Sequence, residues 1–98
     1  MNLLARKIVE TLTERKETIA IAESLTGGAL SSALTDVPGT SHIFQGSLVA
    51  YSVEVKIREL GVRQSSIDQC GVVSEAVAFE MAEGIKSKFG TTWAVSTT

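Results

Sequence analysis

Apolar positions early in the chain fall on one side of a helix. Ala5, Ile8, Val9 and Leu12 recur at the i, i+3, i+4, i+7 spacing, with Arg6, Lys7, Glu10 and Glu14 on the other side. This pattern predicts an amphipathic helix over residues 2–15. Residues 18–22 are small and mostly apolar, the composition of a short strand covered on both faces. Residues 23–28 form a turn into a second helix that carries Ala29, Leu30, Ala33 and Leu34 and stops before Pro38-Gly39. A loop follows over 40–43, then a strand over 44–51 with Leu48, Val49 and Ala50 at its centre.

A short helix over 53–60 has Ser52 as its N-cap and Gly61 just past its end. One further turn is expected over 65–69, where Ser65 and Asp68 are spaced like a capping box. Ser74 caps a stronger helix running through Lys88. Its expected buried stripe is Ala78, Met81, Ala82, Ile85 and Phe89, with Gly90 beyond its end. Residues 91–97 read as a third strand centred on Trp93, Ala94 and Val95. There is no internal repeat. Alternating helix and strand predicts an α/β fold of layered type with a largely parallel sheet. Three strands make a thin sheet, and the sequence stops at the carboxyl end of one, where such folds place ligand loops. The expectation is a single domain over 1–98, truncated on its C-terminal side.

Composition narrows the function classes. The chain has 98 residues, 44% apolar and 20% charged, the balance of one globular domain. A net charge of −2 with interspersed signs gives no basic face for nucleic acid. No apolar run is long enough to cross a bilayer, and Arg6, Lys7 and Glu10 break up any signal-peptide core. A single Cys70 excludes an internal disulfide and fits a cytoplasmic location, and one His with one Cys does not make a zinc site.

Three places carry groups capable of chemistry. In the 23–28 turn, Gly27-Gly28 and the helix start leave backbone N–H groups free to face an anion, and Ser24 and Thr26 add hydroxyls. A tight turn capped by Thr26, with no ligand, accounts for the same residues equally well. In residues 39–42, Ser41 would need a base to act as a nucleophile. The neighbouring His42, the one histidine, would point away from it, which disfavours a Ser-His-Asp triad. A serine that merely caps a turn is the simpler reading there. The third place is Tyr51 with Lys56 five residues on. A lysine acts as a base when burial or nearby cations lower its pKa, and a tyrosine can pass the proton through its phenol. The ordinary fate of such a pair is a sheet edge and solvent. Cys70 reads as incidental, Trp93 as core or sheet packing, and Glu23 as an ion-pair or helix-terminus partner in preference to a general base.

Five segments in this order resemble a known family: residues 22–28 (Ala-Glu-Ser-Leu-Thr-Gly-Gly), 35–41 (Thr-Asp-Val-Pro-Gly-Thr-Ser), 49–56 (Val-Ala-Tyr-Ser-Val-Glu-Val-Lys), 60–62 and 71–75. They are similar to the CinA C-terminal domain family, whose stand-alone members are PncC-type nicotinamide-nucleotide amidohydrolases. The resemblance implies a three-layer α/β/α sandwich with a mostly parallel sheet. It implies hydrolysis of nicotinamide mononucleotide to nicotinate mononucleotide and ammonia in bacterial pyridine-nucleotide salvage, without cofactor or metal, by a homo-oligomer such as a dimer. By position it implies Ser41 as nucleophile, activated by Tyr51 and Lys56. Ser24, Thr26, Gly27, Gly28 and Thr98 are implied to bind substrate, with the 5′-phosphate at the Gly27-Gly28 helix start. The family usually has Cys at the position of Leu25, which tells against a cysteine-dependent mechanism, and Asn at that of Val53. The family domain also continues past the position of Thr98. The alternative reading is a catalytically silent nucleotide-binding or competence-related regulatory homologue.

Overall fold

The strand β1 (Ile19–Glu23) lies between β2 (Phe44–Val49) and β3 (Trp93–Ser96) in a sheet whose strands all run parallel. The computed structural model describes residues 2–98. Parallel neighbours require crossover connections. The short helix α2 (Ala29–Thr35) links β1 to β2, and α3 (Val53–Leu60), α4 (Gln64–Cys70) and α5 (Glu75–Phe89) carry the chain back past β1 to β3. The first helix, α1 (Leu3–Arg15), precedes the sheet, and a 3-10 turn at Thr40–His42 leads into β2.

The alternation of β1 divides the core into two halves. Ile19 and Ile21 face one side with Ala5, Val9 and Leu12 of α1, Leu34 of α2, and Val37 and Ile43. Ala20 and Ala22 face the other side with Leu60, Val62, Val77, Met81 and Ile85. Side chains of a strand alternate between faces, so one strand serves both layers, and its two alanines leave room for α5. A wholly buried Ile or Met contributes roughly 1.5–3 kcal/mol through the hydrophobic effect.

Caps set the helix limits. The side chains of Asn2, Ser52 and Ser74 accept from the N–H groups of Ala5, Val55 and Val77, and Gly61 and Gly90 close α3 and α5 in the left-handed region. The structure corrects several expectations. The second strand ends at Val49: Ala50 N–H still donates to the Glu23 carbonyl at 2.8 Å, but the chain then turns into the Ser52 cap. Residues 64–70 make a full helix that starts at Arg63 with no side-chain cap, so Ser65 and Asp68 are not a capping box. In α5 the buried side chains are Val77, Met81 and Ile85, while Phe89 is exposed. Trp93 is not core: it is 47% exposed, with its indole N–H donating to Glu17 and Arg15 lying over its ring.

Parallel strands sort the loops by edge. The segments leaving the strands, residues 24–28, 50–52 and 97–98, gather at the carboxyl edge, whereas residues 40–43, which enter β2, lie at the amino edge. Among the described residues no helix is long and apolar enough to cross a membrane.

Candidate active site

The carboxyl edge is built around a buried lysine. Lys56 lies on the second turn of α3, only 2% exposed, and its amine is inserted beneath the chain reversal that follows β2. Its Nζ is 2.8 Å from each of three oxygens: Ser24 Oγ, the Ala50 carbonyl and the Tyr51 carbonyl. None of the ion pairs among the described residues includes Lys56. Burial without a counter-charge pushes its pKa below the usual 10.5. A neutral amine has two donors and one lone pair. As an ammonium the group donates to all three oxygens; deprotonated, its two remaining donors suffice for the carbonyls and its lone pair is left for the Ser24 hydroxyl, the arrangement of a base beside its proton.

Ser24 immediately follows β1 and is itself buried. The chain turns behind it, with Gly27 N–H donating to the Ser24 carbonyl and Gly27 and Gly28 both at positive φ. Among the described residues, the N–H groups of Leu25 and Thr26 donate to no protein acceptor. They stand directly after the Ser24 hydroxyl, where donors for a developing oxyanion are needed.

The start of α2, read from the sequence as an anion site, holds an anion that belongs to the chain itself. Glu23 is wholly buried; as an odd-numbered residue of β1 it points to the same face as Ile19 and Ile21. Its Oε1 accepts from Thr26 Oγ1 at 2.7 Å, Gly28 N–H at 2.9 Å and Leu30 N–H at 3.1 Å. Its Oε2 accepts from Ser31 N–H at 2.9 Å and Ser31 Oγ at 2.5 Å. Burial alone would raise the pKa, but the hydroxyls of Ser31 and Thr26 and the N–H groups of Ser31 and Leu30 outweigh it and hold the carboxyl at about 2. The donors assigned to a substrate phosphate at Gly27-Gly28 are therefore already used. Glu23 takes the helix-terminus role read for it from the sequence.

The other expected residues divide by edge. Ser41 sits in the exposed 3-10 turn before β2, whereas Lys56 follows β2. Six strand residues at about 3.3 Å each separate the two ends by roughly 15–20 Å, so Ser41 has no access to Lys56. Ser24, read as a substrate-binding residue, stands in its place. Tyr51 meets Lys56 through its carbonyl and not its phenol, which belongs to a side chain 74% exposed at the rim. Thr26 is bound to Glu23, and Thr98 Oγ1 donates to the Val72 carbonyl at 2.9 Å, tying the strand end to the loop before α5. Beside Ser24, an open groove is lined by Leu25, Val73, Glu75 and Thr97 among others. Among the described residues no cluster of His, Cys, Asp or Glu is arranged to hold a metal ion.

The model of the CinA C-terminal domain family matches residues 1–98. The chain is 48% identical over 95 residues to a CinA-like protein of Synechocystis sp. and 49% identical over 94 residues to one of Desulforapulum autotrophicum. These matches take in 97% and 96% of the chain, but the chain spans only 23% and 22% of those two relatives. Among solved structures, it superposes on a competence/damage-inducible protein from Agrobacterium tumefaciens with a TM-score of 0.92 at 33% identity, covering 95% of the chain and 56% of that structure. It superposes on a CinA superfamily protein from Escherichia coli with a TM-score of 0.93 at 30% identity, covering 95% of the chain and 54% of that structure.

Proposed function

This chain belongs to the CinA C-terminal domain family, and we propose that it carries the nucleophile and base of a serine–lysine amidohydrolase acting on the carboxamide of nicotinamide mononucleotide. The substrate follows from the family resemblance. The chemistry is supported above all by one observation, the 2.8 Å contact between Ser24 Oγ and the buried, unpaired amine of Lys56.

In this reading Ser24 Oγ attacks the carboxamide carbon as Lys56 Nζ takes its proton. The carbonyl oxygen becomes an oxyanion held by the N–H groups of Leu25 and Thr26, each such donor contributing about 3 kcal/mol to the transition state. The C–N bond then breaks, and the Lys56 ammonium returns the proton so that ammonia leaves. Water, deprotonated by the same amine, cleaves the acyl-enzyme to release nicotinate mononucleotide and restore Ser24. The base needs no histidine, because burial supplies what a lysine in water lacks, a neutral amine closer to neutral pH. Loss of ammonia release from nicotinamide mononucleotide in Ser24→Ala, with the fold retained, is the test.

A further inference from the structure

Thr97, the residue directly after β3, is tied to the Ser24 turn twice. Its backbone N–H donates to the Ala22 carbonyl at 2.9 Å, continuing the β1–β3 ladder. Its hydroxyl oxygen receives the Ser24 N–H at 3.1 Å and lies 2.9 Å from Thr26 Oγ1. Thr26 in turn bonds Glu23 Oε1 at 2.7 Å.

The direction of every proton in this chain is determined. A carboxylate that receives five donors only accepts, so Thr26 gives its single hydroxyl proton to Glu23. Thr26 therefore accepts from Thr97, and a lone pair of the Thr97 hydroxyl takes the Ser24 N–H. Three hydrogen bonds run one way from the Ser24 amide to the buried carboxylate, an order in which each polarises the next.

We propose that Thr97 is a positioning residue for Ser24. Its hydroxyl engages the Ser24 N–H, fixes the hydroxyl-bearing residue on the Glu23–Thr26 anchor, and leaves the N–H groups of Leu25 and Thr26 as the oxyanion donors. The catalytic part of this proposal rests on Ser24 acting as the nucleophile. Its structural part, that Thr97 holds the Ser24 amide, does not. The bond comes from the residue directly after β3, so placement of the nucleophile is coupled to docking of β3.

The test compares Thr97→Val, which keeps the shape and removes the hydroxyl, with Thr97→Ser, which keeps the hydroxyl. Three quantities are read: ammonia release from nicotinamide mononucleotide, the rate of Ser24 labelling by a fluorophosphonate, and hydrogen exchange of the Ser24 amide. Thr97→Val should lower kcat and the labelling rate about tenfold, the size of one lost buried hydrogen bond. KM should change less than twofold, Ser24 amide exchange should accelerate, and Thr97→Ser should restore all three. Unchanged labelling, kcat and Ser24 exchange in a folded Thr97→Val protein overturns the proposal. Wild-type protein that neither labels nor releases ammonia overturns the functional reading instead, and the Ser24 amide exchange then decides the role of Thr97 by itself.

Discussion

The Ser24 hydroxyl and the Lys56 amine meet at 2.8 Å across 32 residues of sequence, one at the end of β1 and the other on the helix after β2. Two adjacent parallel strands bring their carboxyl ends together, and the α3 helix returns the lysine under the turn that carries the serine.

The pH dependence of the reaction should report Lys56. Burial lowers its pKa from 10.5, and the base acts only when neutral, so kcat/KM should rise with pH through a limb whose midpoint lies below 10.5. Lys56→Arg, which stays charged throughout, should lose about 10²- to 10⁴-fold in kcat, the usual worth of a general base. A pH–rate profile of the wild type and the kcat of the variant check this.

Tyr51 touches Lys56 through its main chain. Tyr51→Phe should therefore leave the midpoint of that limb within about 0.3 pH units, well inside the usual spread of side-chain pKa values, even if substrate affinity changes. A shifted midpoint in the same profile would return the phenol to the proton path.

Glu23 links acid stability to the α2 turn. Its pKa falls from 4.5 to about 2 on folding, so between these values the unfolded chain binds more protons and stability drops as pH falls. Its contribution is complete above pH 4.5 and is lost as the pH approaches 2. It amounts to on the order of 3 kcal/mol. Urea unfolding should show Glu23→Gln less stable than the wild type at pH 7, with the gap narrowing below pH 4.5.

Gly84 sets the approach of α5 to α3. A Cβ there would fall on the Leu60 carbonyl oxygen, a backbone atom with no freedom to rotate away. Gly84→Ala should cost about 3 kcal/mol or more in urea unfolding, at the upper end of overpacking changes. A change smaller than 1 kcal/mol, the size of an ordinary surface-to-core adjustment, would mean that the helices separate easily.

Much of the fold is legible in local sequence. The spacing of Ala5, Val9 and Leu12, the caps at Ser52 and Ser74, and the glycines at 61 and 90 each act within a few residues and place their helices correctly. Short-range spacing does not reveal partners 32 residues apart, and the pairing of Ser41 with Lys56 rests on the family resemblance alone. The order of elements alone carried a corrective. In a parallel sheet a residue entering a strand and one leaving it occupy opposite edges, and Ser41 enters β2 while Lys56 leaves it. The helix-terminus role of Glu23 is legible in the sequence, but that its carboxylate takes the donors read for a substrate anion depends on which face of β1 the residue takes. The exposure of Trp93 likewise depends on what packs beside an edge strand.

The most direct measurement is ammonia release from nicotinamide mononucleotide by the wild type, Ser24→Ala and Ser41→Ala. Release by the wild type that persists in Ser41→Ala and vanishes in Ser24→Ala is the expected result. Release that survives in Ser24→Ala and disappears in Ser41→Ala would contradict the assignment and move the chemistry to the opposite edge of the sheet.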